Sequence, residues 1–157
     1  RYFVECKNLN FSYEKEKVPM GKDNFAKCPN GAPGVEARMP VLFSEGVMKG
    51  RISINKFVEV TSTNPAKICG MYPKKGSIAV GSDADLVIID KNKKVTITKD
   101  LFHENVDYTS YEGIELEGYP VMTIVRGKVI VKDNIFVGEE GYGQFIKRYK
   151  NDEYVVY

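Results

Sequence analysis

Between residues 36 and 70 the apolar positions recur at helical spacing. Met39, Leu42, Phe43, Gly46 and Val47 fall on one face. Pro40 is tolerable only in a first helical turn, because deeper in a helix its ring meets the carbonyl four residues back, and Gly50 stands just past the end. Ser53 is placed to cap a second helix in which Ile54, Phe57, Val58 and Thr61 share a side. Asn64-Pro65 then restarts a third, short helix that Gly70 ends. Helices this short are marginal in water unless their apolar stripes are buried, so the three stripes predict a peripheral layer around a barrel or sheet.

After Gly70 the period changes from helical to extended. Ser77 to Val80, Leu86 to Asp90, Val95 to Thr98, Ile114 to Glu117, Val121 to Arg126, Lys128 to Val131 and Ile135 to Val137 read as strands, with Gly and Asp-Asn breaks between them. The clearest hairpin joins Val121–Arg126 to Lys128–Val131, since Arg126-Gly127-Lys128 separates two β-branched runs. Lys132-Asp133-Asn134 makes the next turn. Helices first and strands afterwards imply two layers rather than repeating βαβ units, and no internal repeat is visible. From Gly138 onward, Gly141 and Gly143 precede a short basic amphipathic piece that reads as an arm. The chain thus divides into residues 1–70, 71–137 and 138–157.

Composition narrows the class without naming a function. With 43% hydrophobic and 28% charged residues, 157 residues suffice for one domain with a core. The 23 basic and 21 acidic side chains are interspersed, so a formal charge of +2 offers no footprint for nucleic acid or an anionic membrane. No apolar run reaches the roughly 20 residues a membrane span requires, and the first residues have neither the length nor the order of a signal peptide, so a cytoplasmic setting is expected. Cys6, Cys28 and Cys69 are odd in number and widely separated, which favours buried free thiols over disulfides or a zinc site. The absence of an initial Met agrees with a segment of something longer.

Five features are weighed for chemistry. In Pro29-Asn30-Gly31, Pro29 fixes one dihedral and Gly31 permits close approach. Taken alone, the tripeptide reads as a turn. Asp83 and Asp85 could form a carboxylate pair, but a turn before a buried strand is the expected role. Lys74-Lys75 and Lys91 to Lys94 read as solvated turn charges, and Tyr108, Tyr111 and Tyr119 as packing. His103 is the single histidine.

The string Lys22-Asp23-Asn24-Phe25-Ala26-Lys27-Cys28-Pro29-Asn30-Gly31-Ala32-Pro33-Gly34-Val35-Glu36-Ala37-Arg38 resembles the dihydropyrimidinase and D-hydantoinase family, in which a pattern of this kind closes the active site. Phe43-Ser44-Glu45-Gly46-Val47 and Ser62-Thr63-Asn64-Pro65-Ala66-Lys67 continue the likeness. Gly81-Ser82-Asp83-Ala84-Asp85-Leu86-Val87-Ile88-Ile89-Asp90 is similar to a signature of the wider amidohydrolase superfamily. Tyr111-Glu112-Gly113 and Gly141-Tyr142-Gly143-Gln144-Phe145-Ile146-Lys147-Arg148 resemble the hydantoinase branch.

The resemblance implies an α/β to α+β fragment: the last helices of a (β/α)8 barrel, the C-terminal strands of a small β-sandwich, and an extended tail. It places Lys22 to Gly34 on the loop after the last barrel strand, where barrel enzymes carry their chemistry. It makes Asn30, supported by Pro29 and Gly31, the substrate-binding residue for a cyclic ureide or imide. The family's reaction is metal-dependent hydrolysis of the ring amide of hydantoins and dihydropyrimidines, at a binuclear zinc centre held by histidines, a carboxylated lysine and an aspartate. The aspartate's position falls near Asn8, where Lys7-Asn8-Leu9-Asn10 lacks it, and one histidine cannot complete the set. No catalytic or metal-binding residue is therefore expected in this chain, which by itself should be inactive. The tail, through Tyr142, Phe145, Ile146 and Arg148, would lock a homotetramer. Two alternatives stay open: a non-catalytic scaffold forming homo-oligomers, and a free-standing β-rich binding module.

Overall fold

The computed structural model describes residues 33–106 and 108–148. Helix α1 (Arg38–Leu42) runs on as a π-helical segment, Phe43–Met48, where Arg51 N–H donates to Gly46 O at 2.8 Å. Helix α2 (Ile54–Val58) starts where its cap predicts, with Ser53 Oγ accepting from Lys56 N–H at 3.1 Å. It also widens into a π-helical segment, Glu59–Thr63. There Thr61 Oγ1 donates to Phe57 O at 2.7 Å and competes for the carbonyl that an α-helical amide would use. Helix α3 (Asn64–Ile68) carries its proline in the first turn. The three helices stand where the periodicity puts them, and the widened turns are what periodicity does not encode.

Four antiparallel strands follow in the sheet order β1-β2-β3-β4: β1 (Leu86–Thr96), β2 (Glu115–Val125), β3 (Lys128–Lys132) and β4 (Ile135–Phe136). A short 3-10 turn, Lys99–Leu101, opens the connection from β1 to β2. The Arg126-Gly127 turn has both central residues at positive φ (47° and 79°), the conformation that matches the twist of a two-residue hairpin. Asp133 and Asn134 repeat it at 50° and 64°.

Three expectations need correction. Leu86–Asp90 and Val95–Thr98 are one strand, as are Ile114–Glu117 and Val121–Arg126, because the apparent breaks are absorbed as bulges. Lys91, Asn92 and Lys93 lie opposite Gly118 alone, and the register slips again between Ile88 and Ile89. Pro120 fits within β2 because it lies beyond the residues that pair with β3. Ser77–Val80 is a turn and not a strand: among the described residues it has no ladder partner, and Ile78 and Val80 are fully exposed. β1 likewise is largely exposed rather than buried.

The core forms where the first helices meet β2. Ala37, Ile97, Phe102, Leu116 and Tyr119 are buried together. Phe43 and Phe57 meet edge to face with ring centres 5.4 Å apart, a pairing worth roughly 0.5–1.5 kcal/mol beyond its buried area. Buried Ser44 accepts from Glu117 N–H at 3.0 Å, which satisfies a β2 amide at the bulge. Gly118, at φ +84°, completes the fit: a Cβ there would lie 2.4 Å from Phe43 Cε1. These contacts fix the junction of α1 and its π-helical extension against the sheet.

Candidate functional site

Pro29, Asn30 and Gly31 lie outside the described residues, which begin at Pro33, three positions after Asn30. The segment that follows them is held tightly. Gly34, at φ +146°, packs so closely under Tyr111 that a Cβ would come within 3.0 Å of its Cε2. Glu36 is the hub. Its Oε2 accepts from His103 N–H at 2.8 Å, its Oε1 lies 2.8 Å from His103 Nδ1, and its own N–H donates to Glu104 Oε1 at 3.0 Å. Tyr119 lies nearby, its phenol pushed up to about 12 by burial and secondarily by the Glu36 charge, so it stays neutral through the ordinary pH range.

Sequence reasoning gave His103 no partner. Glu36 and His103 are 67 residues apart, and nothing local to either names the other. Among the described residues no three His, Cys, Asp or Glu side chains converge as a metal site would require. The donor set on hand, one imidazole already bonded to a carboxylate, does not fit a zinc pair.

Asp83 and Asp85 do converge, on Lys75. Lys75 Nζ is 2.9 Å from Asp83 and also bonds Asp85, while Lys74 meets Asp83 at 2.5 Å. The Lys75 side chain is only 15% exposed, so the expectation of a solvated charge there is corrected; Lys74, at 52%, fits it. Asp85 also accepts from Arg126 N–H at 2.8 Å. The hydrogen bonds from Lys74 and then Lys75 hold Asp83 below the usual carboxylate range. For Asp85, burial pushes upward, but the bonds from Lys75 and the Arg126 amide outweigh it and the net direction is down. Lys75 is raised by the same partners, against burial. Two carboxylates held ionised around one ammonium pin a turn to the β2–β3 hairpin; neither is poised to move a proton.

Cys69 is exposed at the end of α3, contrary to the expectation of a buried thiol, because a short peripheral helix leaves its last turn in solvent. Cys6 and Cys28 lie outside the described residues. In the arm, the Tyr142 ring sits 4.2 Å from the Arg126 guanidinium and 5.2 Å from Lys128 Nζ. The Arg126 guanidinium also donates to Tyr142 O, and Tyr142 O–H donates to Val125 O at 3.3 Å. Phe145 is 94% exposed and Arg148 is exposed. The fold therefore brings Tyr142 onto the β2–β3 turn of its own chain and leaves Phe145 exposed to solvent. Among the described residues no helix is long and apolar enough to cross a membrane.

Residues 17–130 match the amidohydrolase family. D-hydantoinase from Geobacillus stearothermophilus is 48% identical over 143 residues, covering 91% of this chain and 30% of the relative. D-phenylhydantoinase from Escherichia coli is 47% identical over 133 residues, covering 85% and 29%. The crystal structure of dihydropyrimidinase from Brevibacillus agri superposes with a TM-score of 0.79 at 47% identity, covering 88% of this chain and 30% of that one. The chain thus spans about 30% of the length of the curated relatives it matches.

Proposed function

The chain belongs to the amidohydrolase family, and from that premise we propose that it is the C-terminal segment of a hydantoinase or dihydropyrimidinase, which hydrolyses a ring amide of cyclic ureides. The observation that supports this best is the 48% identity to D-hydantoinase, which extends over 91% of the chain. In this reading residues 1–70 end a (β/α)8 barrel, 71–137 give the C-terminal share of a β-sandwich, and 138–157 form an arm. The scaffold alternative finds no support in these relatives, which are named as hydrolases of this kind.

Asn30 holds the ring through its main-chain N–H and C=O, with Pro29 and Gly31 fixing the backbone that presents them. An edge-on amide contact of this type suits a ureide, whose N–H and C=O alternate around the ring. A binuclear zinc centre belongs to the same proposal and would be furnished by residues other than the described ones. The chain by itself is inactive, contributing a wall and a binding loop. Tyr142, Phe145, Ile146 and Arg148 join subunits of a homo-oligomer, and the setting is cytoplasmic.

The test is ring-opening of 5-substituted hydantoins and dihydrouracil by the full-length protein that carries this chain. Turnover is expected from the full-length protein and none from the 157-residue chain. Asn30→Ala, which keeps the main-chain groups, should change KM little, whereas Asn30→Pro, which removes the N–H, should raise it at least about tenfold. A full-length protein that binds neither ring, or a chain that turns over unaided, ends this reading.

A further inference from the structure

We propose that Glu36, His103 and Glu104 are positioning residues that hold residues 34–38, the segment leading out of the ring-binding tripeptide, against the sheet, an inference that rests on the reading of Asn30 as the substrate contact. Glu36 stands six positions after Asn30 and opens the turn into α1. That turn lacks the usual local device: its N-cap, Ala37, offers no side-chain acceptor. The Glu36 amide is satisfied instead by Glu104, from a segment 68 residues away, at 3.0 Å. The Glu36 carboxylate returns the contact, taking His103 N–H on one oxygen and meeting Nδ1 on the other, both at 2.8 Å. Three hydrogen bonds therefore converge on one residue from one foreign segment. Tyr111, in the same β1–β2 connection, closes over Gly34.

The connection is itself rigidly mounted. Ile97 N–H donates to Ile114 O at 2.9 Å and Gly113 N–H to Ile97 O at 2.8 Å, buried Phe102 roots it in the core, and Asn134 Nδ2 donates to Leu101 O at 2.7 Å. With Glu36 and His103 side chains 31% and 43% exposed, their pairing adds little to global stability. Its geometry does something stability does not require: it locates the residues immediately after the binding loop against the sheet. Displacing a ligand-positioning group by about 1 Å can cost as much as two orders of magnitude in rate or binding.

In the full-length protein, amide hydrogen exchange of residues 29–38 is compared with that of the β2–β3 hairpin, 121–131, alongside kcat and KM for a 5-substituted hydantoin. Glu36→Ala, Glu104→Ala and His103→Ala should each speed exchange in 29–38 about tenfold, leave 121–131 unchanged, and raise KM about tenfold with kcat within about twofold. His103→Asn, which keeps a donor in place of Nδ1–H, should restore wild-type exchange and KM. Unchanged exchange in 29–38, equal loosening of 121–131, or an unchanged KM in an active protein overturns the positioning role. A wild-type protein that opens no cyclic ureide overturns the proposed function instead, and the exchange response then decides alone whether these residues hold the segment.

Discussion

Gly118 shows how one residue couples the helical layer to the sheet. Its positive φ falls in β2 opposite the bulged Lys91–Lys93, and its missing side chain admits the Phe43 ring. Gly118→Ala should cost about 2–4 kcal/mol, combining a left-handed backbone penalty with overpacking against an aromatic ring. Gly127→Ala is the internal control. It has a similar φ of +79° but open space around the new Cβ, so only the backbone part, about 1–2 kcal/mol, should appear. Urea midpoints of the two variants check this, and equal losses would mean that Phe43 moves aside freely.

At the scale of elements, Lys75 and its two aspartates link the turn after α3 to the β2–β3 hairpin. Lys75 ties Asp83 to Asp85, and Asp85 in turn takes the Arg126 amide. Both aspartates have folded-state values lowered from 3.8, so their contribution is present above that value and is lost as pH falls through the lower folded one. Asp85→Asn retains an acceptor for the Arg126 amide but not the ion pair. Denaturation midpoints measured from pH 6 downward should therefore fall less steeply below about pH 4 in the variant than in the wild type. Parallel pH profiles would mean that the ion pair stabilises nothing. The element boundaries were legible at Ser53, Pro65 and Gly127, where a cap, a first-turn proline and a hairpin turn each act locally. They were not legible at Lys91–Lys94, because a bulge depends on the strand opposite.

At the scale of the molecule, much apolar surface among the described residues is uncovered. Val35, Ile68, Ile78, Val80 and Phe145 are all more than half exposed, and a surface of this kind favours association. The arm divides its labour: Tyr142 is anchored on Arg126 and Lys128, and Phe145 is presented outward. Sedimentation of the full-length protein with and without residues 139–157 should show a lower assembly mass for the shortened form. An unchanged mass would remove the arm from the interface.

The sequence by itself determined the family, the order of helices before strands, the caps and hairpin turns, and the Pro29-Asn30-Gly31 candidate, because periodicity, turn chemistry and motif spacing are all short-range properties of a chain. Only the tertiary structure decided that Ser77–Val80 is a turn, that Lys75 is shielded, that Cys69 is exposed and that Glu36 meets His103 and Glu104. Each of those depends on which distant residue arrives alongside. The energy of a hydrogen bond or of burial is set by that neighbour, and local sequence does not specify it.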